Sequence, residues 1–104
     1  MNAIRSLFLS GVLAGVLLPS SVAAADIANG TRIYNTHCVG CHGFQGLSPL
    51  PNVPNFMAGE GLLQPDLMLM QGIKTGKGIM PGYMGILRDQ EILDVVAFLR
   101  TLRR

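Results

Sequence analysis

The sequence predicts an all-α fold: three to four short helices and Gly/Pro-rich loops wrapped around one covalently bound ring. Three observations predict it. Apolar residues recur at spacings of three and four, as in Ile92, Val95, Val96, Leu99 and Leu102, which is the helical period. Two loops, 43–61 and 76–87, gather glycines and prolines, and no region is strand-rich. Finally, the pentapeptide Cys38-Val39-Gly40-Cys41-His42 gives the helices something to surround.

Two cysteines three positions apart, followed at once by histidine, form the attachment pattern of a c-type haem. Residues i and i+3 lie on one face of a helical turn. Both thiols can therefore form thioethers with the two vinyl groups of one planar ligand. His42 is then carried under the ring, where its imidazole can bind iron. The expected cofactor is one haem c per chain, attached through Cys38 and Cys41. Three plainer readings compete. A redox dithiol wants a thioredoxin-like βαβ pattern, which is missing here. A zinc site wants four ligands with room between pairs, and only His37, Cys38, Cys41 and His42 are on offer. A structural disulfide leaves His42 without a purpose.

The chain has 104 residues, enough for one small domain. Its start reads as an export signal. Arg5 is the positive end, Leu7 to Leu18 the apolar run, Pro19-Ser20-Ser21 the break, and Val22-Ala23-Ala24-Ala25 the small residues for cleavage after Ala24 or Ala25. Residues 1–25 are thus read as a signal peptide and 26–104 as the working domain, in the periplasm. An uncleaved membrane anchor is the alternative, since no charge occurs from Ser6 to Ala25. Cleavage after Ala25 leaves 79 residues, a size that usually needs a staple. A covalently held haem is that staple. The formal charge of +2 falls to +1 without Arg5, too weak for nucleic-acid binding.

In chain order, Asp26 to Thr36 reads as a helix with Asp26 near its start. Gly30, Ile33 and Tyr34 share a face. A mid-helix glycine costs about 1 kcal/mol relative to alanine, which a close helix crossing would justify. His37 adjoins Cys38 and cannot swing to the far side of the ring that Cys38 anchors, so it reads as a surface histidine. Gly43 to Gly61 is an irregular loop, expected to wrap the ring edge with Leu47, Leu50, Val53 and Phe56. A metal-bound histidine donates its other ring N–H to an acceptor, and the Pro49 carbonyl is the candidate. Pro65 to Lys74 is the next helix, with Pro65 at its first position and Asp66 at its positive end. Met68 and Met70 read as core filler. Gly76 to Leu87 is the second loop, centred on Met80-Pro81. The proline holds Met80 in an extended presentation, which makes Met80 the expected distal ligand, ahead of Met84 and then Met57. Sulfur opposite histidine raises the reduction potential. Asp89 to Leu102 is the last helix, with Asp89 as N-cap; its stripe is expected to pack on the first helix at Gly30.

From Gly30 to Leu102 the chain resembles the class I c-type cytochromes, in their short bacterial monohaem form. The resemblance rests on Gly30 with Tyr34, on Cys38 to Gly43, on Gly46 with Pro49, on Met80-Pro81, and on the helix from Ile92 to Arg100. His42 and Met80 are 38 residues apart, as in the short members. The family implies a helical cytochrome c fold with His42 proximal, Met80 distal, the Pro49 carbonyl accepting from His42, and terminal helices crossing at Gly30. Arg88, where many relatives have Ser or Thr, and the extra Met84 are departures.

The expected function is periplasmic electron transport and not enzymatic: a monomer with no stable membrane association once the signal is cleaved. It would shuttle single electrons between redox partner proteins, on to a terminal reductase or oxidase. A looser similarity to small cytochromes of denitrification systems hints at that class. Lys74 and Lys77 could steer an acidic partner, or be ordinary surface. The alternatives are a haem enzyme or gas-binding protein with a labile distal ligand, and an accessory cytochrome in reductase maturation.

Overall fold

The computed structural model describes residues 10–17 and 24–104. Arg5, the ends of the apolar run, the break at 19–21 and Val22-Ala23 lie outside the described residues. Four helices are present among the described residues: α1 (Ile27–His37), α2 (Val39–His42), α3 (Asp66–Thr75) and α4 (Asp89–Arg100). Short 3-10 turns occur at Phe44–Gly46 and Phe56–Ala58. The only β pairings described are isolated bridges, Lys77 with Met80 and Met84 with Leu87. No described helix is long and apolar enough to cross a membrane.

The core is the crossing of α1 on α4. Asp26 caps α1, its carboxylate accepting from the Asn29 N–H at 3.0 Å, which satisfies one of the orphan donors of the first turn. Gly30, Ile33 and Tyr34 are buried on one face. They meet the expected stripe: Ile92, Val95, Val96, Leu99 and Leu102 are all buried. A Cβ on Gly30 would stand 2.0 Å from the Asp94 carbonyl oxygen. Only glycine lets the two backbones approach this closely. Tyr34 packs edge-on against Phe98, centroids 5.1 Å apart, and its hydroxyl donates to the Gly43 carbonyl at 2.6 Å. Burial pushes the phenol up to about 12.

The same crossing buries Asp94, which the apolar pattern did not single out. Its carboxylate accepts from the Asp26 N–H (2.8 Å), Asn29 Nδ2 (2.9 Å) and Gln90 Nε2 (3.2 Å). Burial alone would raise its pKa; the donors outweigh it and hold the carboxyl below the usual range.

Two boundary expectations shift. Asp89 is the first residue of α4, and Arg88 is its cap. The Glu91 carboxylate accepts from the Arg88 N–H and Nε, both at 3.1 Å. Asp89 is drawn instead to Lys74, at 3.0 Å. Pro65 is likewise the cap of α3 and not its first residue. Met70 and Ile73 pack on the core, but Met68 is 58 % exposed and fills nothing. Arg100, the last residue of α4, donates to the carbonyls of Leu62 and Gln64 and to Asp66 Oδ1. It thereby clamps the start of α3 onto α4.

Candidate haem site

The pentapeptide forms one helical turn attached to α1. The Cys38 N–H still donates to the Tyr34 carbonyl at 2.8 Å, and the Cys38 carbonyl accepts from the Cys41 and His42 N–H groups at 3.3 and 2.9 Å. Both cysteines are free thiols. Cys38 is half-buried against the core and Cys41 is exposed. Burial, then the neighbouring Cys41, pushes the Cys38 thiol up to about 11. A working redox dithiol needs the opposite shift.

His42 is buried, its ring stacked on Phe56 with centroids 4.6 Å apart and planes 18° apart. Burial lowers its pKa against a smaller raising effect of the Pro54 backbone. The neutral imidazole so favoured is the form that binds metal. Its Nδ1 is the one buried polar side-chain atom among the described residues with no hydrogen-bond partner.

The expected partner, Pro49, does not fill that role here. Pro49 is exposed and no bond joins its carbonyl to His42. Ser48 explains where that part of the loop goes. Its hydroxyl donates to the Cys41 carbonyl (2.9 Å) and accepts from the Leu50 N–H (3.1 Å). This ties 48–50 to the backbone side of the helical turn. The chain meets the His42 ring again where Phe56 stacks on it, and the backbone of Pro54, two positions before Phe56, acts to raise the His42 pKa. Spacing alone could not choose between prolines in a loop with three.

Met80 is half-buried on a tight turn. Its carbonyl accepts from the Lys77 N–H at 3.1 Å, and its N–H donates to the Lys77 carbonyl at 3.0 Å. Met84 is 64 % exposed. Met57 lies in the other loop, its carbonyl accepting from the Arg104 N–H at 3.0 Å. Cys38, Cys41 and His42 thus share one helical turn, and Met80 comes from a separate loop. Of the basic pair, Lys74 is committed to Asp89, while Lys77 is exposed.

The donor set fits a c-type haem. Two free thiols flank one turn, a buried imidazole favours its neutral form, and a thioether sits on a pinned loop. Leu47, Leu50, Ile79, Met84 and Ile86 on the two loops stay exposed, apolar surface that a ring can cover.

Comparison with known proteins points the same way. A family model described as cytochrome c oxidase, cbb3-type, subunit III matches residues 25–99. Cytochrome c6 of Thermosynechococcus vestitus is 31 % identical over 86 residues, 80 % of this chain and 76 % of that one. A segment making up 11 % of a 1-butanol dehydrogenase (cytochrome c) of Thauera butanivorans is 32 % identical. Among solved structures, cytochrome c6 of the diatom Phaeodactylum tricornutum shares the fold. The TM-score is 0.62 and the identity 23 %, over 74 % of this chain and 93 % of that one.

Proposed function

The chain belongs to the class I c-type cytochromes, small haem proteins that carry electrons, and from that premise we propose how its own residues serve the task. The haem, when bound, supplies a one-electron couple. One haem per chain would be held by thioether links to Cys38 and Cys41, with His42 and Met80 as the residues that would ligate the iron, a pair that raises the potential and suits transfer without loss of either ligand. Pro54, in place of Pro49, offers the carbonyl for His42 Nδ1–H, fixing the tautomer and the ring orientation. The single observation that carries this assignment is the buried His42 imidazole, held towards its neutral form, on the same turn as two free thiols.

Residues 1–25 act as an export signal, and 26–104 work in the periplasm as a soluble monomer, one that transfers electrons and catalyses no reaction of its own. Electrons would pass on the side of the site that carries Cys38 and Cys41. The partners are a donor and a terminal reductase or oxidase, with denitrification reductases one such class. The likeness to a segment of an alcohol dehydrogenase supports a dehydrogenase as the donor class. Lys77 steers an acidic partner, an effect that salt weakens.

The test is optical. Oxidised protein should show the sulfur-to-iron charge-transfer absorption. Met80→Ala should abolish it and lower the potential, while Met84→Ala should leave both unchanged. Loss of the band in Met84→Ala instead would overturn the assignment. Rapid, tight binding of carbon monoxide to the reduced parent protein would favour a gas-binding role over a carrier.

A further inference from the structure

The loop that carries Met80 is closed mainly onto α3. Lys77 and Met80 exchange backbone hydrogen bonds, the Tyr83 N–H donates to the Ile73 carbonyl at 3.0 Å, and the Met84 N–H donates to Lys74 at 3.1 Å. Gly76 and Gly82 are packed back to back. A Cβ on Gly76 would lie 2.5 Å from the Met80 carbonyl oxygen, and one on Gly82 would lie 2.7 Å from that of Lys74. These contacts tie Met80 to its own loop and that loop to α3. None refers it to the segment bearing Cys38, Cys41 and His42.

Tyr83 makes that connection. Its hydroxyl donates to the His37 carbonyl at 3.0 Å, and its ring stands edge-on to the His37 imidazole, centroids 5.6 Å apart at 74°. Among the described residues this is the only side-chain hydrogen bond between the 76–87 loop and α1. His37 immediately precedes Cys38. The bond therefore spans the two chain segments that supply the two sides of the site.

We propose that Tyr83 is a positioning residue, a latch that holds the Met80 loop to the backbone at His37 and so fixes the distal sulfur relative to the His42 turn. The proposal rests on Met80 being the distal ligand. A ligand carried by a loop leaves the iron when the loop opens, and opening must break the Tyr83–His37 bond. One neutral hydrogen bond of this kind holds the open fraction down by about two- to tenfold. His37 serves the latch through its main chain, so its side chain matters less than the tyrosine hydroxyl.

The test uses the haem-loaded protein and Tyr83→Phe, which keeps the ring and removes only the hydroxyl. Carbon monoxide association with the reduced form should speed up by about two- to tenfold. Hydrogen exchange at the Met80 N–H should speed up by a similar factor. His37→Ala, which leaves the carbonyl in place, should give a smaller rise. Arg100→Ala destabilises the domain away from this loop and should leave the carbon monoxide rate at the parent value. If Tyr83→Phe binds carbon monoxide no faster than the parent, or if Arg100→Ala accelerates it equally, the latch is refuted. Met80→Ala separates the two levels. Loss of the charge-transfer band there with no effect of Tyr83→Phe refutes the latch alone; retention of the band refutes the ligand assignment and the latch with it.

Discussion

Replacing Gly30 by alanine sets two effects of opposite sign against each other. In an isolated helix the change is favourable by about 1 kcal/mol. In this molecule the new Cβ would stand 2.0 Å from the Asp94 oxygen, 2.5 Å from its carbonyl carbon and 3.0 Å from the Val95 nitrogen. All three are backbone atoms, so no rotamer change relieves the clash. Reaching ordinary contact requires α1 and α4 to separate by more than 1 Å. A gap of 0.5–1 Å already forfeits roughly a quarter to a half of each dispersion contact it opens. The contacts at stake are those of Ile33, Tyr34, Ile92 and Val95, all nearly inaccessible. Overpacking of this kind costs about 1–3 kcal/mol or more. Stretching the bonds that Asp94 accepts from Asp26 and Asn29 adds about 1 kcal/mol. The crossing therefore wins, and Gly30→Ala should lose about 1–3 kcal/mol after the propensity gain is subtracted. For a domain of this size that lowers Tm by about 5–25 °C. Thermal melts of the oxidised, haem-loaded protein measure it. A melt at or above that of the parent would mean that propensity governs and that the crossing is not tight.

Two further outcomes follow from the same structure. Asp94 has a folded pKa below its ordinary value of 3.8, so its stabilisation is complete above that value and is lost as pH falls through the lowered one. Asp94→Asn should cost about 1–3 kcal/mol at neutral pH and flatten the loss of stability below about pH 4, read by urea melts across that range; an unchanged acid profile would show that other carboxylates set it. Replacing Cys38 and Cys41 by alanine should leave haem that acidified organic solvent extracts, and retention of the pigment would exclude thioether attachment.

Local rules made much of this protein legible. The period of Ile92 to Leu102 named the buried face of α4, Gly30 with Ile33 and Tyr34 named the face it meets, and Cys38 to His42 announced a single turn bearing two thiols and an imidazole. Each depends on residues within a turn or two of one another, where backbone geometry alone sets who shares a face. The site was less legible wherever a loop had to be followed through space. Pro49 and Pro54 look alike in the sequence, and only the Ser48 turn and the Phe56 stack decide which approaches His42. Tyr83 and His37 are 46 positions apart, and Arg100 reaches a segment 34 to 38 positions away. Asp94 reads as a solvent-facing helix residue until α1 covers it with three donors. What the sequence by itself determined is which helices form and which faces of α1 and α4 are buried, and it named the residues proposed to bear the haem. What only the tertiary structure decided is which polar groups meet across those faces, because small errors in each loop torsion accumulate along the chain and packing alone selects where the loop comes to rest.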